Sequence, residues 1–172
     1  MSAGINDGTG LVRSIFSFPN PVNEVAARMV AAMVVAVSVA FIISGQGWLL
    51  AVLAYGFLAR VVTGPTLSPM GLLATRVLAP GSGIAPRPVP GPPKRFAQVI
   101  GLIFSVTALT LYFAADSTIA AKGVVTVLAA FASLESFVGF CAGCFVFNRL
   151  MRWGLIPRSI CEECLAVQQP AG

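Results

Sequence analysis

Four long apolar runs, 25–43, 48–62, 96–114 and 124–147, decide what this chain can become. A helix of about 20 apolar residues, rising about 1.5 Å per residue, crosses the roughly 30 Å hydrocarbon core of a bilayer. Lipid offers no hydrogen bonds, so such runs must satisfy their own backbone and are read as helices. Arg28 is the only charge in the first run and Glu135 the only charge in the fourth. The second run is shorter and opens on Trp48, a residue favoured at membrane–water interfaces. A cleaved signal peptide fits the first run less well, because the run is too long and no small-residue cleavage site follows it. Asn20 is placed to cap this helix, with Pro21 in the first turn, where a missing N–H costs nothing. Only 10% of the 172 residues are charged, against about 25% in ordinary soluble domains. A soluble enzyme and a disordered chain are both disfavoured. The pattern predicts an all-α, four-transmembrane-helix bundle over residues 1–164, with spans at about 24–43, 47–63, 96–114 and 120–149. A Pro-rich connection covers 64–95, and a Cys-containing tail covers 150–172.

Positive charge sets the expected direction. Arg13 and Arg28 flank the start of the first span. Arg60, Arg76, Arg87, Lys94 and Arg95 lie between the second and third, and Arg149, Arg152 and Arg158 follow the fourth. Only Lys122 falls on the opposite side. Positive residues collect on the cytoplasmic side, so both termini and the central connection are expected inside a cell membrane (N-in/C-in). The net charge of +5 is thereby explained by topology, and no nucleic-acid partner is expected. Ala32, Ala36 and Ala40, and Gly139 with Gly143, have spacings that let membrane helices approach closely. Packing within the chain is one reading; a homo-oligomer face is the other.

Residues 64–93 hold eight of the twelve prolines. Ser68-Pro69 reads as a helix start. Met70, Leu72, Leu73, Val77 and Leu78, with Thr75 and Arg76 opposite, then form a segment too short to span. It is expected to lie along the cytoplasmic interface as a short helix. The stretch from Pro86 to Pro93 should be an extended, semi-rigid strap.

Chemistry rests on four cysteines, since the chain has no histidine. Cys141 and Cys144 form one CxxC pair, Cys161 and Cys164 another. Two such knuckles match a four-thiolate zinc site, which would use all four residues as metal ligands. They equally suit a thiol–disulfide or sulfur relay. Cysteine is also a common small hydrophobe in buried helices, so an unshared role stays open. Placed near the cytoplasmic end of a fourth span, Cys141 and Cys144 would face the negative end of the helix dipole, which disfavours a thiolate. Ser159 to Glu162 reads as a capping box, which puts Cys161 in a first helical turn. In a relay, Cys161 would attack, Cys164 would resolve, and Cys141 with Cys144 would be the second couple. Gly154 and Pro157 would let the tail fold back.

Glu135 is expensive within an apolar span and is a functional candidate by default. Arg60, or Tyr55 by hydrogen bonding, would be its structural partner. Asn23 and Glu24 read as helix-start polar groups.

Several segments together resemble a known family: Phe18-Pro19-Asn20-Pro21-Val22-Asn23-Glu24, Ser68-Pro69-Met70-Gly71, Gly91-Pro92-Pro93-Lys94-Arg95-Phe96-Ala97-Gln98, and Leu134-Glu135 with Gly139-Phe140-Cys141-Ala142-Gly143-Cys144. They resemble the bacterial membrane family catalogued as domain of unknown function 4395, over roughly residues 16–164. The resemblance implies a small integral membrane protein and transfers no catalytic residue. It also implies a thioredoxin-like or sulfurtransferase partner on the cytoplasmic side. The expected function is a thiol–disulfide or sulfur relay at that face. The alternatives are a scaffolding protein with a zinc clip, and a small transporter of a sulfur species. Whether the chain is an enzyme stays open. A relay needs an electron acceptor, and a membrane quinone would serve, although no sequence feature identifies a quinone site.

Overall fold

Asn23 starts the first helix. Its side-chain oxygen accepts the Val25 N–H at 3.0 Å, and its backbone is extended. The computed structural model, which describes residues 20–155, thus places the cap three residues beyond Asn20. Asn20 instead accepts the Gly91 N–H at 2.8 Å. Between these contacts, β1 (Val22–Asn23) pairs antiparallel with β2 (Pro88–Val89), Val22 opposite Val89. The Pro-rich strap is therefore pinned across the start of the first helix.

Helix α1 (Glu24–Ser44) ends at Gly45, whose left-handed φ of 68° lets its N–H reach Phe41 O. A short turn leads to α2 (Trp48–Thr63). The Tyr112 hydroxyl donates to Gly45 O at 2.9 Å and ties this turn to the far end of the third long helix. Ser68 caps α3 (Pro69–Leu73), as its position before Pro69 predicts. That helix continues through a π-helical turn (Ala74–Leu78) into α4 (Ala79–Gly81). Helix α5 (Gly91–Phe113) begins five residues before the expected 96, because Pro92 and Pro93 are tolerated in a first turn. Helix α6 (Thr118–Ser133) runs on through a second π-helical turn (Leu134–Val138), and α7 (Ala142–Arg152) follows as a separate helix. The single element expected over 120–149 is thus two, broken at Gly139.

The long helices pack α1 against α2 and α6, and α5 against α2, α6 and α7. At one end the core is Phe41, Leu49, Leu50, Ala108, Ala121 and Val125. At the other it is Val30, Val34, Leu53, Phe57, Leu128 and Ala132, sealed by Ala74 and Ala79. Much of the outer surface is apolar as well: Ile43, Ile119 and Phe137 are each more than three-quarters exposed. A soluble domain would not present such a surface. Three helical stretches, Glu24–Ser44, Gly91–Phe113 and Thr118–Val138, are long and apolar enough to cross a membrane, and Trp48–Thr63 is a shorter apolar helix. The described chain is all-α apart from the two-residue strand pair, and has the helices of a multi-pass membrane protein.

The two small-residue patterns have different fates. Ala32, Ala36 and Ala40 are exposed, so the described residues do not pack against that stripe. Gly139 and Gly143 are not two steps of one helix face, because the break falls between them.

Candidate functional site

The break that follows α6 builds the site. Gly139 takes a left-handed φ of 76°, and its N–H bonds back to Glu135 O at 3.1 Å. Phe140 N–H reaches Leu134 O at 3.2 Å. Arg28 of α1 then covers the exposed carbonyls, donating from Nε to Ser136 O at 3.1 Å and from Nη2 to Phe137 O at 3.0 Å. A cation at a helix C-terminus is also favoured by the dipole.

Cys141 is extended (φ −91°, ψ 102°) and caps α7. Its Sγ accepts the Cys144 N–H at 3.3 Å. The two cysteines form a close pair, with Cα atoms 5.2 Å apart. This reverses the electrostatic expectation. The pair lies at the N-terminus of its own helix, where the dipole favours negative sulfur, not at the C-terminus of a span. The apolar sequence running through the break conceals it, and cysteine is not among the usual capping residues.

Helix α7 is held against α5 at close quarters. A Cβ on Gly143 would fall 2.6 Å from Ala97 Cα, so only glycine permits this approach. The Phe96 and Phe147 rings add a tilted contact at 5.6 Å.

The cysteine pair separates two spaces. Outside it is a groove of about 370 Å³ bordered by Glu24, Val89, Pro90, Lys94, Phe140 and Asn148, with both Cys141 and Cys144 on its wall. Inside the bundle is a cavity of about 190 Å³, mostly apolar, whose lining includes Phe57, Arg60, Gln98, Phe104, Glu135 and Cys141. Cys141 borders both spaces and Cys144 only the groove.

Lys94, Glu135 and Arg60 stand at this end of the bundle, near Arg28 and Glu24. Lys94 Nζ lies 2.7 Å from Glu135 Oε1, and both side chains are largely buried. Glu135 is therefore paired across helices, but with Lys94, a residue that the apolar pattern alone assigns to the connection. Tyr55 instead donates to Leu67 O at 3.3 Å. Arg60, only 5% exposed, donates from Nε to Gln98 Oε1 at 2.8 Å and from Nη1 to Ser68 Oγ at 3.3 Å. Its guanidinium sits 4.6 Å from the centre of the Phe57 ring. Arg60 Nη2, buried, has no hydrogen-bond partner among the described residues. Sequence reasoning does not single out this nitrogen. The signal available is one arginine within the last turn of an apolar helix.

Cys161, Cys164 and the Ser159–Glu162 capping box lie outside the described residues. Among the described residues no group of three or more Cys, Asp or Glu could hold a metal ion.

No curated protein and no solved structure matches the chain. A family model does match, over residues 22–152, a range that includes Arg28, Arg60, Lys94, Glu135 and the Cys141–Cys144 pair. The chain belongs to the family described as domain of unknown function (DUF4395).

Proposed function

We propose that this protein crosses the cell membrane four times with both termini in the cytoplasm, and that Cys141–Cys144 is a thiol–disulfide couple at the cytoplasmic face. The ten-to-one division of basic residues supports the direction. The 69–81 segment fits an interfacial position: Gly71, Ala74 and Ala79 face the bundle, while Leu73, Val77 and Leu78 point outward. The observation that carries the chemistry is the placement of the cysteine pair at a helix N-terminus, on the wall of an open groove.

In the proposed exchange, a thiolate attacks Cys144 Sγ from the groove. The S–S bond breaks and Cys141 departs as a thiolate, stabilised by the Cys144 N–H and the start of α7. A second incoming thiol then resolves the mixed disulfide. The donor pair leaves as a disulfide, and Cys141 and Cys144 retain its two electrons and two protons as thiols. Cys161 and Cys164 carry electrons to this couple from the dithiol of a thioredoxin-like partner, with Cys161 attacking and Cys164 resolving.

The test is partner trapping in membranes. In a Cys161→Ser/Cys164→Ser background, where the tail cannot capture a partner, Cys141→Ser leaves Cys144 free to hold a mixed disulfide and should capture a thiol partner, whereas Cys141→Ser/Cys144→Ser should not. Equal capture by both, or none by either, would sink the exchange at this pair.

A further inference from the structure

The interior cavity combines features that the exchange alone does not use. Its walls are mainly apolar, with Phe57, Phe104 and Phe131 among them. Its one guanidinium, Arg60, is buried and held on two sides by Gln98 and Ser68, yet its Nη2 finds no acceptor among the described residues. A buried donor without a partner costs on the order of 1–3 kcal/mol, more for a charged group. Such a group signals a ligand. Glu135 also borders the cavity, but its Oε1 is taken by Lys94 and it makes no hydrogen bond to Arg60 Nη2. Cys141 borders the same space.

These features define the occupant's chemistry. It must be lipid-soluble, flat enough to lie among aromatic rings, and able to offer an oxygen acceptor to Arg60. To serve the Cys141 couple, which borders the same space, it must also accept two electrons and two protons. At about 190 Å³ the cavity is smaller than the roughly 300–1,000 Å³ of sites that enclose a whole drug-sized molecule. It suits a headgroup whose tail remains outside. Phe131 and Val146 line the cavity and are partly exposed on the outer surface, which gives the tail a way to lipid.

We infer that the cavity is a quinone-headgroup site, with Arg60 Nη2 donating to a quinone carbonyl oxygen and the quinone oxidising the Cys141–Cys144 dithiol. The electron step rests on the thiol–disulfide reading above. Two S–H bonds break and one S–S bond forms. The two electrons and two protons pass to the quinone, whose two C=O groups become C–OH. The couple is thereby reset for another exchange from the groove, and the membrane receives a quinol.

The experiment uses the full chain in lipid nanodiscs, with decylubiquinone and menadione as probes. Binding is measured first on the Cys141→Ser/Cys144→Ser chain, which cannot undergo the redox step. Saturable one-site binding is expected, weakened at least tenfold by Arg60→Met and partly restored by Arg60→Lys. Because Arg60→Met is exposed to folding failure, Ala132→Leu, which fills the cavity from its wall, serves as a second variant and should weaken binding equally. Partitioning without saturation, saturable binding of hydrosulfide in place of either quinone, or native affinity in both Arg60→Met and Ala132→Leu would overturn the site. Reduced Cys161→Ser/Cys164→Ser chain is then mixed with quinone without oxygen, and one quinol per Cys141–Cys144 pair is expected. Saturable binding with the thiols left reduced would support the site and overturn the electron step together with the thiol reading beneath it.

Discussion

Lys94 Nζ and Glu135 Oε1 meet at 2.7 Å, joining the first turns of α5 to the π-helical turn that follows α6, at the end of the bundle that holds the cysteine pair. Breaking a buried pair by removing one partner leaves an uncompensated charge and costs about 3–5 kcal/mol. Lys94→Met and Glu135→Gln should each destabilise by an amount in that range, less where water reaches the partly exposed Glu135 carboxylate. The double change Lys94→Met/Glu135→Leu should recover most of the loss. Thermal unfolding in detergent checks this. Single variants as stable as the native chain would show that the pair does not hold α5 to α6.

Arg28 and Gly139 end α6 together. Gly139→Ala places a Cβ on a left-handed residue, at a cost of about 1–2 kcal/mol. Arg28→Ala removes two charge-assisted hydrogen bonds, each worth about 1.5–3 kcal/mol. Both variants should lower the unfolding temperature. They should also increase hydrogen exchange at 134–141 more than in the core around Leu50. A uniform change across the chain would contradict this local role.

Much of the fold is legible in the sequence because long apolar runs and Ser68-Pro69 act locally. What stays hidden depends on contacts distant in sequence. Asn20 looks like a helix cap by itself, but Gly91 takes its side chain and Asn23 becomes the cap. Gly139 sits in an unbroken apolar run, and its helix-ending role is evident only when Arg28 is seen covering the carbonyls before it. The site is half legible for the same reason. The CxxC spacing identifies Cys141 and Cys144 but inverts their end of the helix, and the Lys94 and Arg60 contacts with other helices carry no sequence spacing.

Topology gives a prediction independent of chemistry. In a chain with its native cysteines replaced by serine, Ala115→Cys in the α5–α6 connection should react with a membrane-impermeant maleimide added outside intact cells. Ser82→Cys, in the connection before α5, should react only after the membrane is opened. The reverse pattern would invert the protein in the membrane.

Metal content separates the exchange reading from the zinc clip. Detergent-purified chain should contain far less than one zinc, and a chelator should leave its unfolding temperature unchanged. One zinc per chain, lost on changing any one of Cys141, Cys144, Cys161 or Cys164 to serine, would establish the clip instead.

The thiol state of one pair in living membranes is the most direct test. In a Cys161→Ser/Cys164→Ser chain, acid-quenched cells are treated with a mass-tagged maleimide before and after reduction. The couple proposed here predicts two tags gained on reduction, a fraction that shifts when the cells are exposed to thiol reductant and returns when it is removed. Two tags under every condition, or none that reduction can release, would contradict a redox role for Cys141 and Cys144.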